Sequence, residues 1–335
     1  MKHVVFLCSF FFIMIFSNFI FALPPHMDGI GMFTWQETVG VNPSVFAKDA
    51  KEKGLSFVII KSHDGSSWGT RKNGRWQPAI SRELVSALHK ENLRAYSYFT
   101  ARLTNGKSVK DSVMLAVRTL DMGVDGVVVD DLGLFGKSKT HWTNLFSELR
   151  KEVNRRKGTV LAFSSFPHLM KWKDAPWAVA LKYSDYFLPQ SYWRLFQQMS
   201  PEDSLAYTQA NFDALRAYNS AYDCKLVPVG MSYGKGVTAK QIDTFLTAAK
   251  PYYAGVALFR WSSMPKGGWN VVKKQASGYK PGRGLKNISL IDAFRHPPKV
   301  DGKKSESKSK KKKKQNPHKA NSSKGKGIMH EWPGH

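Results

Sequence analysis

The stretch Val124-Asp125-Gly126-Val127-Val128-Val129-Asp130-Asp131 constrains what this chain can fold into more than any other. Its core is apolar without alternation, and it runs directly into two adjacent carboxylates. A strand with no polar side is buried on both faces, as in a parallel sheet. Two charges at its C-terminal end are costly unless that end opens into a polar site. In parallel α/β sheets and barrels, sites sit at the carboxyl ends of the strands. One run therefore predicts a fold type, a location and a pair of candidate acids.

Seven further strand-like runs accompany it: Gly29–Trp35, Ser56–Lys61, Arg94–Phe99, Thr159–Ser164, Asp185–Pro189, Lys225–Gly230 and Gly255–Arg260, with Gly126–Asp130 as the fourth of eight. Amphipathic stretches lie between them, such as Ser81–Glu91, Val109–Met122, His141–Arg155 and Thr238–Lys250, each opening near a polar cap or turn. Alternation of this kind indicates a parallel sheet. Eight repeats across about 240 residues fit a (β/α)8 TIM barrel. A doubly wound open sheet is the alternative, but no Gly-rich phosphate loop follows the first strand.

The domain organisation follows from composition. Lys2, the apolar stretch Val4–Phe21 and Ile20-Phe21-Ala22 read as a signal peptide over residues 1–22, cleaved near Ala22, against the alternative of a membrane anchor. The barrel is expected over 28–265, a C-terminal helix and extension over 266–296, and a disordered basic tail over 297–335. Cys8 falls in the leader, so Cys224 has no disulfide partner, which suits an exported protein stabilised by a large core. The expected location is periplasmic or extracellular, as a monomer. The formal charge is +26; the tail holds 12 lysines against three acids, and with Lys2 set aside the body retains +16. Such a charge attracts polyanions, here anionic envelope polymers.

The predicted strand ends carry a consistent set of side chains. Trp35 and Glu37 follow the first strand, and Lys61, His63, Asp64 and Trp68 the second. Tyr98 belongs to the third, Asp130 and Asp131 to the fourth, and Gln190, Tyr192 and Trp193 to the sixth. Tyr233 follows the seventh, and Arg260 and Trp261 the eighth. Aromatic faces beside convergent polar groups are what a saccharide site needs. Glycoside hydrolysis requires two carboxyl groups across the scissile bond. Adjacent residues seldom span that gap, so Asp130 or Asp131 is expected to work with Asp64, or failing that Glu37. Trp35, Trp68, Trp193 and Trp261 are expected as stacking subsites, with Gln190 and Tyr192 orienting the sugar. The structural alternatives are core packing for each aromatic, a hydrogen-bonded His63, a loop-capping aspartate and an Arg260 that balances acids. No clustered His/Cys/carboxylate spacing points to a metal, and no cofactor is expected.

Asp125 to Asp131, together with Ser184-Asp185-Tyr186-Phe187-Leu188-Pro189-Gln190-Ser191-Tyr192-Trp193, resembles the glycoside-hydrolase-like family ten of bacterial envelope proteins. That resemblance implies a (β/α)8 barrel acting on cell-wall glycan, with an Asp-Asp pair after strand four and a Pro-Gln-x-Tyr-Trp run after strand six. Phe57 to Lys61 with Asp64-Gly65 is also similar to the second strand of lysozyme-like and chitinase-like barrels. One departure matters. Chitinase-type barrels carry Asp-Gly-x-Asp-x-Asp-x-Glu, and alignment on Asp125-Gly126 and Asp130 puts Val128 at the middle Asp and Leu132 at the Glu. Three functions remain open on sequence: an exported glycoside hydrolase of peptidoglycan-like or related amino-sugar polysaccharide, a glycan-binding barrel without catalysis, and a polyanion-binding envelope or adhesion protein.

Overall fold

The computed structural model describes residues 26–130, 138–167, 176–194, 199–218 and 224–279. The predicted signal segment, the basic tail and Asp131 lie outside the described residues. The chain alternates strands and helices: β1 (Gly29–Thr34), α1 (Pro43–Glu52), β2 (Phe57–Asp64), a small excursion β3 (Ser67–Trp68), β4 (Thr70–Lys72) and β5 (Arg75–Gln77), α2 (Arg82–Lys90), β6 (Arg94–Thr100), α3 (Gly106–Asp121), β7 (Gly126–Asp130) and α4 (Lys139–Asn154). Then follow β8 (Val160–Ser165), α5 (Trp177–Tyr183), β9 (Tyr186–Pro189), α6 (Pro201–Tyr218), β10 (Lys225–Leu226), β11 (Val229–Met231), α7 (Ala239–Ala249), β12 (Gly255–Phe259) and α8 (Gly268–Ala276).

The main sheet runs β10-β9-β8-β7-β6-β2-β1-β12-β11, with β3 alone pairing antiparallel at its side. β10 and β11 are two halves of one seventh strand. Pro228 lies between them, and proline cannot donate to a ladder. Before the break the chain pairs with β9, and after it with β12. A parallel bridge from Gln190 to Val229 joins the two sides, so the sheet curls into a (β/α)8 TIM barrel. Continuous Lys225–Gly230 pairing, expected from the sequence, is thus replaced by a strand broken at its proline. All eight predicted strands are present, with ends shifted by a few residues at most.

Helices form where a polar cap precedes an apolar stripe. Asn42, Ser81, Asn105, Ser138 and Thr238 each accept backbone N–H bonds at the start of a helix. α4 buries Trp142, Leu145, Phe146, Leu149 and Val153, spaced as one helical face requires. Phe146 meets Phe163 of β8 edge-on at 6.3 Å, so Phe163 faces the helix layer and its neighbours Ala162 and Ser164 face the lumen. Inside, Gly31 of β1 stands beside its register partner Phe57 of β2, whose ring fills the space a side chain would take.

The barrel floor is closed by Tyr96 and Tyr186. The Tyr96 hydroxyl accepts the Met27 amide at 3.1 Å, and Tyr186 donates to the His26 carbonyl at 2.8 Å. Asp125, at the start of β7, takes Arg94 at 2.6 Å, His89 at 2.8 Å and the Ala95 amide at 2.8 Å. It is a structural anchor at the end of the barrel opposite Asp130. No helix among the described residues is long and apolar enough to cross a membrane.

Candidate active site

The carboxyl ends of the strands bring two arcs of side chains together. One arc is aromatic. Phe33 of β1 lies 5.1 Å from Tyr98 of β6 and 5.6 Å from Phe259 of β12, measured between ring centroids. Tyr192 and Tyr233, which follow β9 and β11, meet each other at 5.6 Å and meet Phe259 at 6.2 and 5.4 Å. Residues from strands all round the barrel touch one another only by pointing inward.

The other arc is polar. Lys61 Nζ donates to Thr100 Oγ1 at 2.7 Å and lies 4.9 Å from the centre of the Tyr98 ring. Gln190 Nε2 donates to Asp130 Oδ1 at 3.2 Å and to Ser164 Oγ at 3.3 Å. Asp130 is buried, only 6% exposed, and reaches this position because Gly126, Val128 and Asp130 share the inward side of β7.

The placement of Asp64 depends on a bulge. β2 and β6 pair in register to Lys61↔Tyr98, then resume at His63↔Phe99, leaving Ser62 as an extra residue. Regular alternation from an inward Lys61 would turn His63 inward and Asp64 outward. The inserted residue reverses both. His63 stacks on Phe99, 4.3 Å between centroids, in the helix-facing layer, while Asp64 comes opposite Thr100. Thr100 is in turn opposite Asp130, so Asp64, Thr100 and Asp130 form one cross-strand row. Two strand spacings separate the backbones of the two acids by about 9.5 Å. Arg102 grips Asp64 through both carboxylate oxygens, at 2.6 and 3.2 Å.

Several expected residues are placed elsewhere. His63 is fully buried, its Nδ1 2.9 Å from Ser62 Oγ, and burial together with the Lys61 charge lowers its pKa to about 3. It is a neutral core residue and does not reach the mouth. Glu37 is a loop clamp: one carboxylate oxygen accepts the Trp35 amide, the other the Ser262 amide at 3.2 Å. Trp193 is fully buried against Phe245 of α7, 5.5 Å between centroids, with no face left for a sugar. Trp261 packs between α1 and α8, 4.7 Å from Phe46 and 4.8 Å from Trp269. Trp68 pairs beside β2 and lies under the Arg118 guanidinium of α3 at 4.1 Å. It lines an open groove of about 810 Å3 with Ile80, Met114 and Met122 on the outer face of the barrel. The acids there do not converge, since Asp121 pairs with Arg156 at 2.6 Å.

Of the four tryptophans, Trp35 alone stands at the rim, half-buried beneath the Arg260 guanidinium at 4.6 Å. Sequence reasoning passed over Phe33, Thr100 and Phe259. Their inward parity on strands already recognised was the signal that identifies them. Among the described residues, no group of three His, Cys, Asp or Glu side chains is arranged to hold a metal.

No family model and no curated protein matches the chain. Solved structures do match. The spore cortex-lytic enzyme SleL of Bacillus megaterium QM B1551 aligns over 74% of this chain and 74% of its own, at 9% identity and a TM-score of 0.52. The endo-β-1,4-mannanase of Thermotoga petrophila covers 78% of both chains at 9% identity with a TM-score of 0.56. The active domain 2 of a Pyrococcus furiosus chitinase covers 77% of this chain and 98% of its own, at 12% identity and a TM-score of 0.56. The fold is that of glycoside-hydrolase barrels. At these identities the likeness extends to the fold alone.

Proposed function

We propose that this chain is an exported glycoside hydrolase acting on a cell-wall or related amino-sugar polysaccharide. The observation that carries the reading is the Asp64–Thr100–Asp130 row at the barrel mouth, beside an arc of five aromatic rings. The sugar ring stacks on the aromatic arc, and Gln190 and Lys61 hydrogen-bond its hydroxyl groups. Asp64, beside Arg102, serves as the base, and the buried Asp130 protonates the departing glycosidic oxygen. A backbone separation of about 9.5 Å sets the two acids on either side of one strand, as a pair of carboxyl groups flanking a scissile bond requires. The substrate class is supported by the motifs shared with the glycoside-hydrolase-like family ten and by the spore cortex-lytic and chitinase neighbours. The basic body and tail would hold the enzyme on anionic envelope polymers.

Reducing-end release from purified peptidoglycan and from chitin oligosaccharides tests the reading. Asp130→Asn and Asp64→Asn are each expected to lower the rate at least about a hundredfold without changing the unfolding temperature. Asp131→Asn belongs in the same series. Full activity in both the Asp130 and Asp64 variants removes the proposal. A second reading, a barrel that binds glycan without cutting it, is favoured by the commitment of Glu37 to two backbone amides and of Asp64 to Arg102. It predicts glycan binding with no reducing ends released by the native chain.

A further inference from the structure

Arg260 contrasts with Arg102, Arg94 and Arg150, each of which has a carboxylate partner, in Asp64, Asp125 and Asp185 respectively. Arg260 makes no ion pair among the described residues. Its recorded donor contact is a long one from Nε to Ser263 Oγ at 3.4 Å, which leaves the two terminal nitrogens for a ligand. Glu37, in the loop after β1, is committed through both oxygens to the Trp35 and Ser262 amides.

The guanidinium is nevertheless held in place. It lies over the Trp35 ring, and the Arg260 backbone is fixed where Ser232 Oγ donates to its carbonyl at 2.9 Å. Glu37 fixes the Trp35 backbone in the same way. Two anchored main chains, one after β1 and one after β12, thus present a stacked, half-buried arginine at the lip of the mouth. Stacking orders the side chain beforehand, so less entropy is lost when a planar anion docks. The fork geometry of guanidinium matches a carboxylate in a bidentate way.

Resting on the saccharide reading of the mouth, we infer that Trp35 and Arg260 form a subsite for a carboxylate-bearing sugar, so that the polysaccharide taken by this barrel is acidic. The high positive charge of the whole chain agrees with such a substrate, since it concentrates polyanions around the protein while Arg260 supplies the local selection. The carboxylate is either that of a uronic acid or the lactyl group of a peptide-free cell-wall glycan strand.

The test is equilibrium binding of the full chain, at physiological ionic strength, to polygalacturonate and to peptide-free glycan strands. Each polymer is compared with its own carboxyl-reduced form, and neutral chitin oligosaccharides are included. The native chain should prefer one carboxylate polymer over its reduced form by about tenfold or more. The polymer that shows the preference identifies the source of the carboxylate. Arg260→Gln should cut that preference severalfold, down to what the overall charge alone supplies, while leaving affinity for the reduced polymer unchanged, and Arg260→Lys should restore only part of it. Lys240→Gln, an equal loss of charge at an exposed position on α7, should leave the preference intact. Equal binding of native and reduced polymers, or an undiminished preference in Arg260→Gln, overturns the subsite. Failure to bind any of the saccharides overturns the saccharide reading itself.

Discussion

His63 shows how a single side chain can be claimed by the core. Stacked on Phe99 and shut away from water, it stays neutral, because burial and the neighbouring Lys61 oppose a second positive charge. Its folded pKa of about 3 lies below the ordinary 6.5, so between those values the unfolded chain takes up a proton that the folded chain refuses. The stability that His63 contributes is therefore present above pH 6.5 and is lost as the pH falls toward 3. Between pH 6.5 and 4.5 the loss should be about 2 kcal/mol. Denaturant unfolding at the two pH values checks this: His63→Phe, which keeps the stacking, should show a drop smaller by that amount, and equal drops in both chains would exclude the assignment. The tryptophans teach the same lesson about legibility. Their positions at strand ends were evident in the sequence. Which way each turned was not, because one residue of loop decides whether an indole faces the lumen or the helix layer. Trp193 and Trp35 are equally aromatic in the sequence, and only Trp35 is left with an open rim.

Strands carried the clearest signal because the buried parallel ladder demands long apolar runs, and β7 was read to the residue. The helices α1, α5 and α6 were less visible, their apolar spacing being interrupted or short. A bulge leaves no periodic trace at all, yet the extra Ser62 in β2 decides that Asp64 and not His63 shares a row with Asp130. Likewise the pairing of Gly31 with Phe57 appears only once β1 and β2 are in register. A Cβ on Gly31 would lie 1.9 Å from the Phe57 ring, so the ring must move. Gly31→Ala is expected to destabilise the barrel by about 1–3 kcal/mol, as overpacking does. Combining it with Phe57→Leu should recover part of that loss. Chemical denaturation of the two single variants and the double variant gives the coupling, and strict additivity would mean that the two positions do not compete for space.

At the scale of the whole molecule the charge and the fold separate. The described part of the barrel ends at Tyr279. The segment from Pro297 onward holds a net +9 of the total +26. A chain ending at His296 is therefore expected to keep its unfolding temperature and its rate of reducing-end release, while eluting from a polyanion column at lower salt. Loss of hydrolysis on soluble oligosaccharides in that chain would show that the basic segment does more than attract. The body alone accounts for much of the remaining charge, which is why Arg260 can select within a field that favours every acidic polymer. The closing joint of the barrel has a consequence of its own. Past its break at Pro228, the seventh strand meets the β9 side through the single bridge from Val229 to Gln190, and the same Gln190 holds Asp130 through its side-chain amide. Breathing at this seam of the sheet and displacement of the Asp130 side chain are then a single event: heat or denaturant should free Asp130 before it unfolds the barrel.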